Sequence, residues 1–259
     1  QRTLGAPKVL LMKTTIIAAA VTTTLAGFVP VLTMAATTTD PVLGVGLIGS
    51  YSELEFKGRT STDTEYIPEG GLFINFGNKL TAHTGLVYQA ELSGQYVERQ
   101  GERVKDAQAD VDLGWRVALD DSNFIDALIG AGYKWNRFHP DYSKYDIELT
   151  SRTPFAKVAI GYNHQFDNAT VRLEAGVRKT IDGDSRLEIS RVGSDTLDLK
   201  DTSNPYAELH VLFNQQGDFP VVATLYYSHF KYDLDGQFLI TNFDKQTRNE
   251  YGAKLGLVF

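Results

Sequence analysis

The sequence predicts an all-β protein, a transmembrane, antiparallel, up-and-down β-barrel of about ten strands. Three observations carry that expectation. Alternation of apolar and polar residues recurs in about ten segments beyond residue 41. The last segment places Tyr251, Ala253, Leu255, Leu257 and Phe259 on one face and Gly252, Lys254 and Gly256 on the other. Near the N-terminus, Met12-Lys13 leads into an apolar stretch from Thr14 to Leu32, followed by the small residues of Thr33-Met-Ala-Ala36. One apolar and one polar face is what a strand needs when lipid lies on one side and a polar lumen on the other.

The N-terminal pattern is a charged region, an apolar core and a small-residue cleavage zone, which reads as a secretory signal peptide over 12–35. The Thr residues and Pro30 dilute the core, so it lacks the sustained apolar length of a membrane-spanning helix. Residues 1–11 read as an upstream extension outside the fold. The barrel is expected over 36–259, roughly 220 residues, which fits one domain.

Strands are expected at roughly 42–57, 69–77, 80–98, 104–119, 124–138, 153–166, 169–181, 205–214, 220–234 and 247–259. The first and ninth carry apolar residues on both faces. In the third, Leu86, Tyr88, Ala90, Leu92 and Tyr96 oppose Gln89, Glu91, Ser93 and Gln95. In the fourth, Ala109, Val111, Leu113, Trp115 and Val117 oppose Gln108, Asp110, Asp112 and Arg116. In the seventh, Val171, Leu173, Ala175 and Val177 oppose Arg172, Glu174 and Arg178. Gly77-Asn78, Asp120–Asn123, Asp167-Asn168 and Gln215–Asp218 read as short turns. The intervening connections are mostly longer and more polar, as expected of outer loops facing short periplasmic turns. The longest, about 182–204, contains two alternating stretches from Leu187 and Thr196, so a projecting hairpin is expected there.

The chain has 13 Tyr, 14 Phe and 2 Trp. Phe76, Phe124, Phe166, Phe213, Phe219 and Phe259 fall near the expected periplasmic ends. Tyr96, Tyr133, Trp135, Phe230 and Tyr232 fall toward the other end, giving two aromatic belts. The absence of Cys excludes disulfides, thiol nucleophiles and thiolate metal sites. A net charge of −7 argues against a nucleic-acid partner.

Alternation sends fourteen charges inward: Glu91, Asp110, Asp112, Asp126, Glu174, Glu208 and Glu250, with Arg116, Lys134, Lys157, Arg172, Arg178, Arg248 and Lys254. A barrel of this size has little interior room. Equal numbers of acids and bases therefore predict a salt-bridge network across the lumen rather than a charge-selective pore. Inward glycines, among them Gly130, Gly161 and Gly176, leave space for long side chains or allow curvature. No HExxH, GxSxG, GxGxxG or Walker motif is present. Spaced carboxylates at Asp182, Asp184, Asp195, Asp198 and Asp201 lack EF-hand spacing and read as a solvated loop. No metal or cofactor is expected.

The terminal strand, with Tyr251, Leu255, Leu257 and Phe259 on one face, resembles the assembly signal of bacterial outer-membrane barrels. The whole pattern resembles small Gram-negative outer-membrane barrels of the opacity and adhesin type, and small porins. The resemblance implies export to the bacterial outer membrane, contact with its lipid and lipopolysaccharide and with the barrel-assembly machinery, and a monomer. Its expected function is non-enzymatic, with surface loops meeting a host or phage ligand; a narrow porin is the alternative. Ala131–Phe138, together with Asp110-Val-Asp112 and Glu208-Leu-His210, also resembles omptin proteases. That resemblance implies a His–carboxylate pair, His210 with Glu208, activating water opposite Asp110 and Asp112. The chain departs from omptins in carrying Glu beside His, in being shorter, and in placing His139-Pro140 in another context.

Overall fold

In the computed structural model the described residues are 41–58, 62–99, 101–140, 146–236 and 243–259. The expected upstream extension (1–11) and signal peptide (12–35) lie outside them. Twelve strands follow in chain order: β1 (Val42–Gly58), β2 (Thr62–Gly77), β3 (Gly85–Arg99), β4 (Glu102–Ala118), β5 (Asn123–His139), β6 (Ile147–Phe166), β7 (Ala169–Thr180), β8 (Asp184–Ile189), β9 (Gly193–Asp198), β10 (Ser203–Phe213), β11 (Val221–Asp233) and β12 (Phe243–Val258).

Each strand of the wall pairs antiparallel with its neighbours in the order β5-β4-β3-β2-β1-β12-β11-β10-β7-β6. A further β5–β6 pairing closes this into a ten-stranded barrel. The β1–β12 seam is completed by two reciprocal backbone bonds of 2.9 Å between Leu43 and Phe259. Strands β8 and β9 form a hairpin that extends the wall above β6, with Ile147 opposite Ile189 and Arg152 opposite Asp184. This is the hairpin expected in the long loop.

Several strands exceed the expected bounds. Strand β2 begins at Thr62 rather than 69, and β6 at Ile147 rather than 153. Strands β1, β5 and β6 run 17, 17 and 20 residues. A tilted membrane strand needs only about 9–11, so these continue past the apolar layer. Strand β3 starts at Gly85 rather than 80, because residues 78–84 fold as a turn. The turn at 119–122 is set locally. The Ser122 amide and the Asn123 amide and side chain donate to Asp120, holding its carboxyl below the usual range.

The outer wall explains which half of the alternation faces lipid. Leu47, Leu72, Leu92, Leu113, Ile129, Ile160, Leu173, Leu225 and Leu255 are all exposed on its exterior. Large apolar side chains exposed in a continuous band mark a surface that meets lipid rather than water. Phe76, Phe166, Phe213, Phe219 and Phe259 border this band at the end holding the strand termini. Tyr51, Tyr66, Tyr96, Tyr133 and Tyr251 are exposed toward the other end. Three residues assigned to belts are instead inside: Phe124, Phe230 and Tyr232 are buried.

Phe230 and Tyr232 were misplaced because the facing rule reverses along the barrel. Beyond the tyrosines the inward positions become apolar. Leu54, Ile67, Val104, Phe138, Leu149, Leu187, Ile189, Phe230, Tyr232 and Leu234 form one buried cluster. The outward positions at that level become polar: Glu55 accepts from Thr247, and Lys231 pairs with Asp233. Within the lipid layer the inside holds the charges beside a smaller apolar cluster; above it, where water surrounds the wall, the inside is mainly apolar. The same strands serve both solvents by swapping the character of their two faces.

This arrangement separates two costs. Leu113→Lys, on the exposed apolar wall, is expected to destabilise by about 2–4 kcal/mol in a bilayer. Phe230→Ala, in the upper cluster, is expected to cost about 3–5 kcal/mol, as for a buried aromatic. Urea unfolding of barrels refolded in vesicles measures both. A negligible loss at Phe230 would return it to the lipid interface.

Candidate functional site

The interior of the barrel is the densest concentration of ionisable groups in the molecule. All fourteen charges assigned inward by alternation point into it. Eleven are buried, and Glu91, Asp110 and Glu208 are partly so. The alternation of β3 to β7, β10 and β12 puts them there, since every second residue of those strands faces the lumen.

Near the end holding the strand termini, Arg172 donates to Asp126 at 2.8 Å and to Glu174 at 2.7 Å. Arg116 shares Asp126 at 2.6 Å. The bidentate geometry of guanidinium suits this sharing, because one planar group can satisfy two carboxylates. Gly161 makes room for it: a Cβ there would lie 2.2 Å from the Arg172 guanidinium. Here the glycine provides space rather than curvature.

Lys157 joins Asp110 at 3.0 Å and Asp112 at 2.6 Å. Farther up, Arg248 contacts Glu69 at 2.5 Å, Asp106 at 2.7 Å and Glu250 at 3.2 Å. Lys134 bridges Asp106 and Glu250 at 3.2 and 3.3 Å. Lys254 pairs with Glu91, and Arg178 lies 3.7 Å from Glu208. Arg178 also packs over the Tyr206 ring, 4.0 Å from its centroid, which gives the cation a second favourable partner.

Three members of this lattice were not among the assigned set. Glu69 and Asp106 were legible, since they keep the inward parity of Phe73 and Asp110 on their strands. Lys79 was not. It sits in the 78–84 turn, which folds into the barrel mouth, and its ammonium reaches Asp112 and Glu174, each at 2.8 Å. Arg116 holds the turn by donating to the Lys79 and Ala82 carbonyls at 2.6 and 2.5 Å. Asn78 pins its start, donating to the Leu86 carbonyl and accepting from the Tyr88 amide. Gly85, with φ of 90°, supplies the left-handed residue that lets the chain re-enter the wall. Ile48, Phe73, Leu212, Val222 and Val258 form an apolar cluster on the same side of the lattice, with Leu80 packed against it.

The residues that resemble an omptin site occupy this lattice. His210 lies 3.1 Å from Glu208 and shares a 2.9 Å hydrogen bond with Thr224. Asp110 and Asp112 are engaged by Lys157, and Asp112 also by Lys79. All four lie between the upper apolar cluster and the 78–84 turn. Among the described residues, Glu91, Asp106, Lys134, Arg178, Glu208 and Lys254 border a cavity of about 30 Å³. That is room for about two waters. In the long loop, Asp184 is near Arg152 and Asp201 near Lys179. Among the described residues no three carboxylate or imidazole groups converge as a metal site.

No family model and no curated protein matches the chain. Solved structures do. The chain is similar to the outer membrane protease OmpT from Escherichia coli, with a TM-score of 0.58 and 7% identity, over 88% of this chain and 99% of that one. It also matches the translocator domain of the autotransporter NalP from Neisseria meningitidis, with a TM-score of 0.40 and 10% identity over 84% and 89%. A third match is Ail, the attachment invasion locus protein of Yersinia pestis, with a TM-score of 0.35 and 10% identity over 85% and 100%. At these identities the likeness is one of fold, the outer-membrane β-barrel fold.

Breaking the lattice should be costly, because a partner left behind is a buried, unpaired charge. Arg172→Ala is expected to destabilise by about 3–5 kcal/mol. Asp126→Asn in the same chain should recover part of that loss, with a coupling of about 0.5–3 kcal/mol in urea unfolding. Strict additivity would mean that water, rather than Asp126, compensates Arg172.

Proposed function

We propose that the chain is a non-enzymatic integral protein of the bacterial outer membrane that carries no solute and acts at its outer end. One observation carries this reading: among the described residues, side chains occupy the lumen along its length. Ion pairs cross-link its middle, the 78–84 turn and an apolar cluster occupy one end, and the larger apolar cluster occupies the other. A conducting pore needs a hydrated path whose binding sites release their ions, and paired, buried charges provide none.

The outer end is built for display. Long strands and the β8–β9 hairpin carry the wall beyond the apolar band. Above that band they hold their own apolar core, which makes the projecting part rigid. Polar side chains cover its exterior, and the hairpin tip exposes Arg191 and Val192. A rigid scaffold with exposed tips suits binding of a host or phage surface partner, since preorganised contacts lose less entropy on association. The end with short turns then faces the periplasm, as the expected export signal requires.

Two measurements test this reading. In planar bilayers the refolded protein should give no steady channel openings; regular, ion-selective steps would replace the proposal with a porin. On cells, replacing residues 184–198 by a short Gly-Ser turn should leave the folded barrel in the outer membrane and abolish attachment to a host-cell layer. Undiminished attachment would remove the hairpin from the binding surface.

A further inference from the structure

We infer that the exterior of β11, β12, β1 and β2, just above the lipid layer, is a binding surface for a neutral glycan with β-glycosidic links, carried by a facing cell. The inference rests on the proposed outward placement of this end, and it concerns the wall rather than the β8–β9 hairpin.

Cross-strand register builds the surface from two rows. Tyr227, Tyr251, Tyr51 and Pro68 are successive partners across the four strands. His229, Asn249, Glu53 and Tyr66 form the row above. These positions are outward, opposite in parity to the buried Ser52, Ile67, Ser228 and Glu250. The rings pack in two pairs. Tyr51 and Tyr66 lie 5.9 Å apart between centroids with 16° between planes, and Tyr227 lies 5.1 Å from Tyr251. Tyr51, Tyr66 and Tyr251 are each half-exposed. Neighbouring strands are about 4.8 Å apart, so the three tyrosines of the lower row span about 10 Å, the length of a disaccharide. Tyrosine offers a ring face to the C–H face of a pyranose, and its few torsions make ordering it cost little entropy.

The upper row supplies the polar contacts. His229 Nδ1 and the Tyr227 hydroxyl both donate to the Asn249 carbonyl oxygen, at 2.8 and 3.2 Å. The Asn249 amide in turn donates to Glu53 at 3.5 Å. These bonds fix Asn249, leave His229 Nε2 as an acceptor and leave Glu53 with free lone pairs. Among the described residues Glu53 makes that one contact and no ion pair. An unpaired carboxylate on the exterior lies in water rather than among acyl chains, so this row, with Tyr66, stands clear of the lipid. An aromatic belt at the head-group layer needs neither the second row nor its hydrogen bonds.

These groups select the ligand. Two acceptors and a fixed amide suit hydroxyl groups, which a sugar presents beside its apolar ring face. The nearby cations are already engaged: Lys231 pairs with Asp233 at 2.8 Å, Lys57 with Glu55 at 3.1 Å, and Lys245 lies 4.0 Å from Asp233. The unpaired Glu53 repels sulfated, phosphorylated or sialylated sugars, and that sets aside the phosphorylated sugars of the cell's own outer leaflet. A β-glycosidic link keeps successive rings nearly coplanar, which matches a flat row of tyrosines; an α-link bends the chain away.

The test uses the full barrel, folded in an amine-oxide detergent that carries no sugar and confirmed by heat-modifiable migration. Lactose, maltose, sialyllactose and a phosphorylated core oligosaccharide are titrated by saturation-transfer NMR. Lactose should bind, and the other three should bind about tenfold more weakly or not at all. The Tyr51→Ala/Tyr66→Ala pair should weaken lactose about tenfold, and Glu53→Gln, which keeps the shape of the side chain, should weaken it by a similar factor. The Tyr96→Ala/Tyr133→Ala pair, exposed tyrosines outside both rows, should leave it unchanged. Absence of transfer to lactose, equal or stronger binding of any of the other three sugars, or an equal loss in the control pair overturns the surface. Because binding is read on purified, folded barrel, any of these results leaves the closed lumen and hairpin-dependent attachment standing.

Discussion

A charge taken out of water must find its opposite, and this constraint organises the barrel. Arg172 is fully buried, yet it stands between Asp126 and Glu174. Asp126 in turn compensates Arg116, which anchors the inserted turn, and Glu174 compensates Lys79 within that turn. Each group is stable only because the next is in place. The result is a lattice, where isolated pairs would each bear the desolvation of two ions for a single contact. Its members come from strands distant in sequence, so it closes only when the barrel closes.

The same constraint explains the reversal along the strands. Lipid outside leaves the polar half of each strand only the interior, so charges gather there. Once the wall rises into water, polar residues gain nothing by turning inward, and burial of apolar surface again becomes the main stabilising term. Strand β11 shows the change within a few residues. Leu225 faces outward in the lipid layer, whereas Phe230 and Tyr232 face inward above it. The girdle tyrosines lie between the two regimes.

In the proposed function, filling of both regimes among the described residues leaves the exterior as the working surface. The His210–Glu208 pair and the Asp110–Asp112 pair have the residue types of a hydrolytic site. Lysines pair with those aspartates: Lys157 with Asp110 and Asp112, and Lys79 with Asp112. What stays accessible is the projecting rim and the lipid-facing wall.

By itself the sequence determined the barrel class, nearly all of its strands and the direction of most side chains. Period-two alternation is a local property, and lipid on one face makes it strict. Fourteen lattice residues were readable for the same reason; Glu69 and Asp106 share the inward parity of their strands but lay outside that set. Tertiary structure alone decided three things. Arg172 was paired with Asp126 and Glu174, since strand tilt and stagger, not residue order, set which side chains meet across a lumen. Lys79 entered the lattice because a turn folded inward, a choice made by Arg116 from another hairpin. Phe124, Phe230 and Tyr232 turned inside, because the depth at which a strand leaves lipid depends on how the whole barrel is tilted, and alternation carries no record of depth.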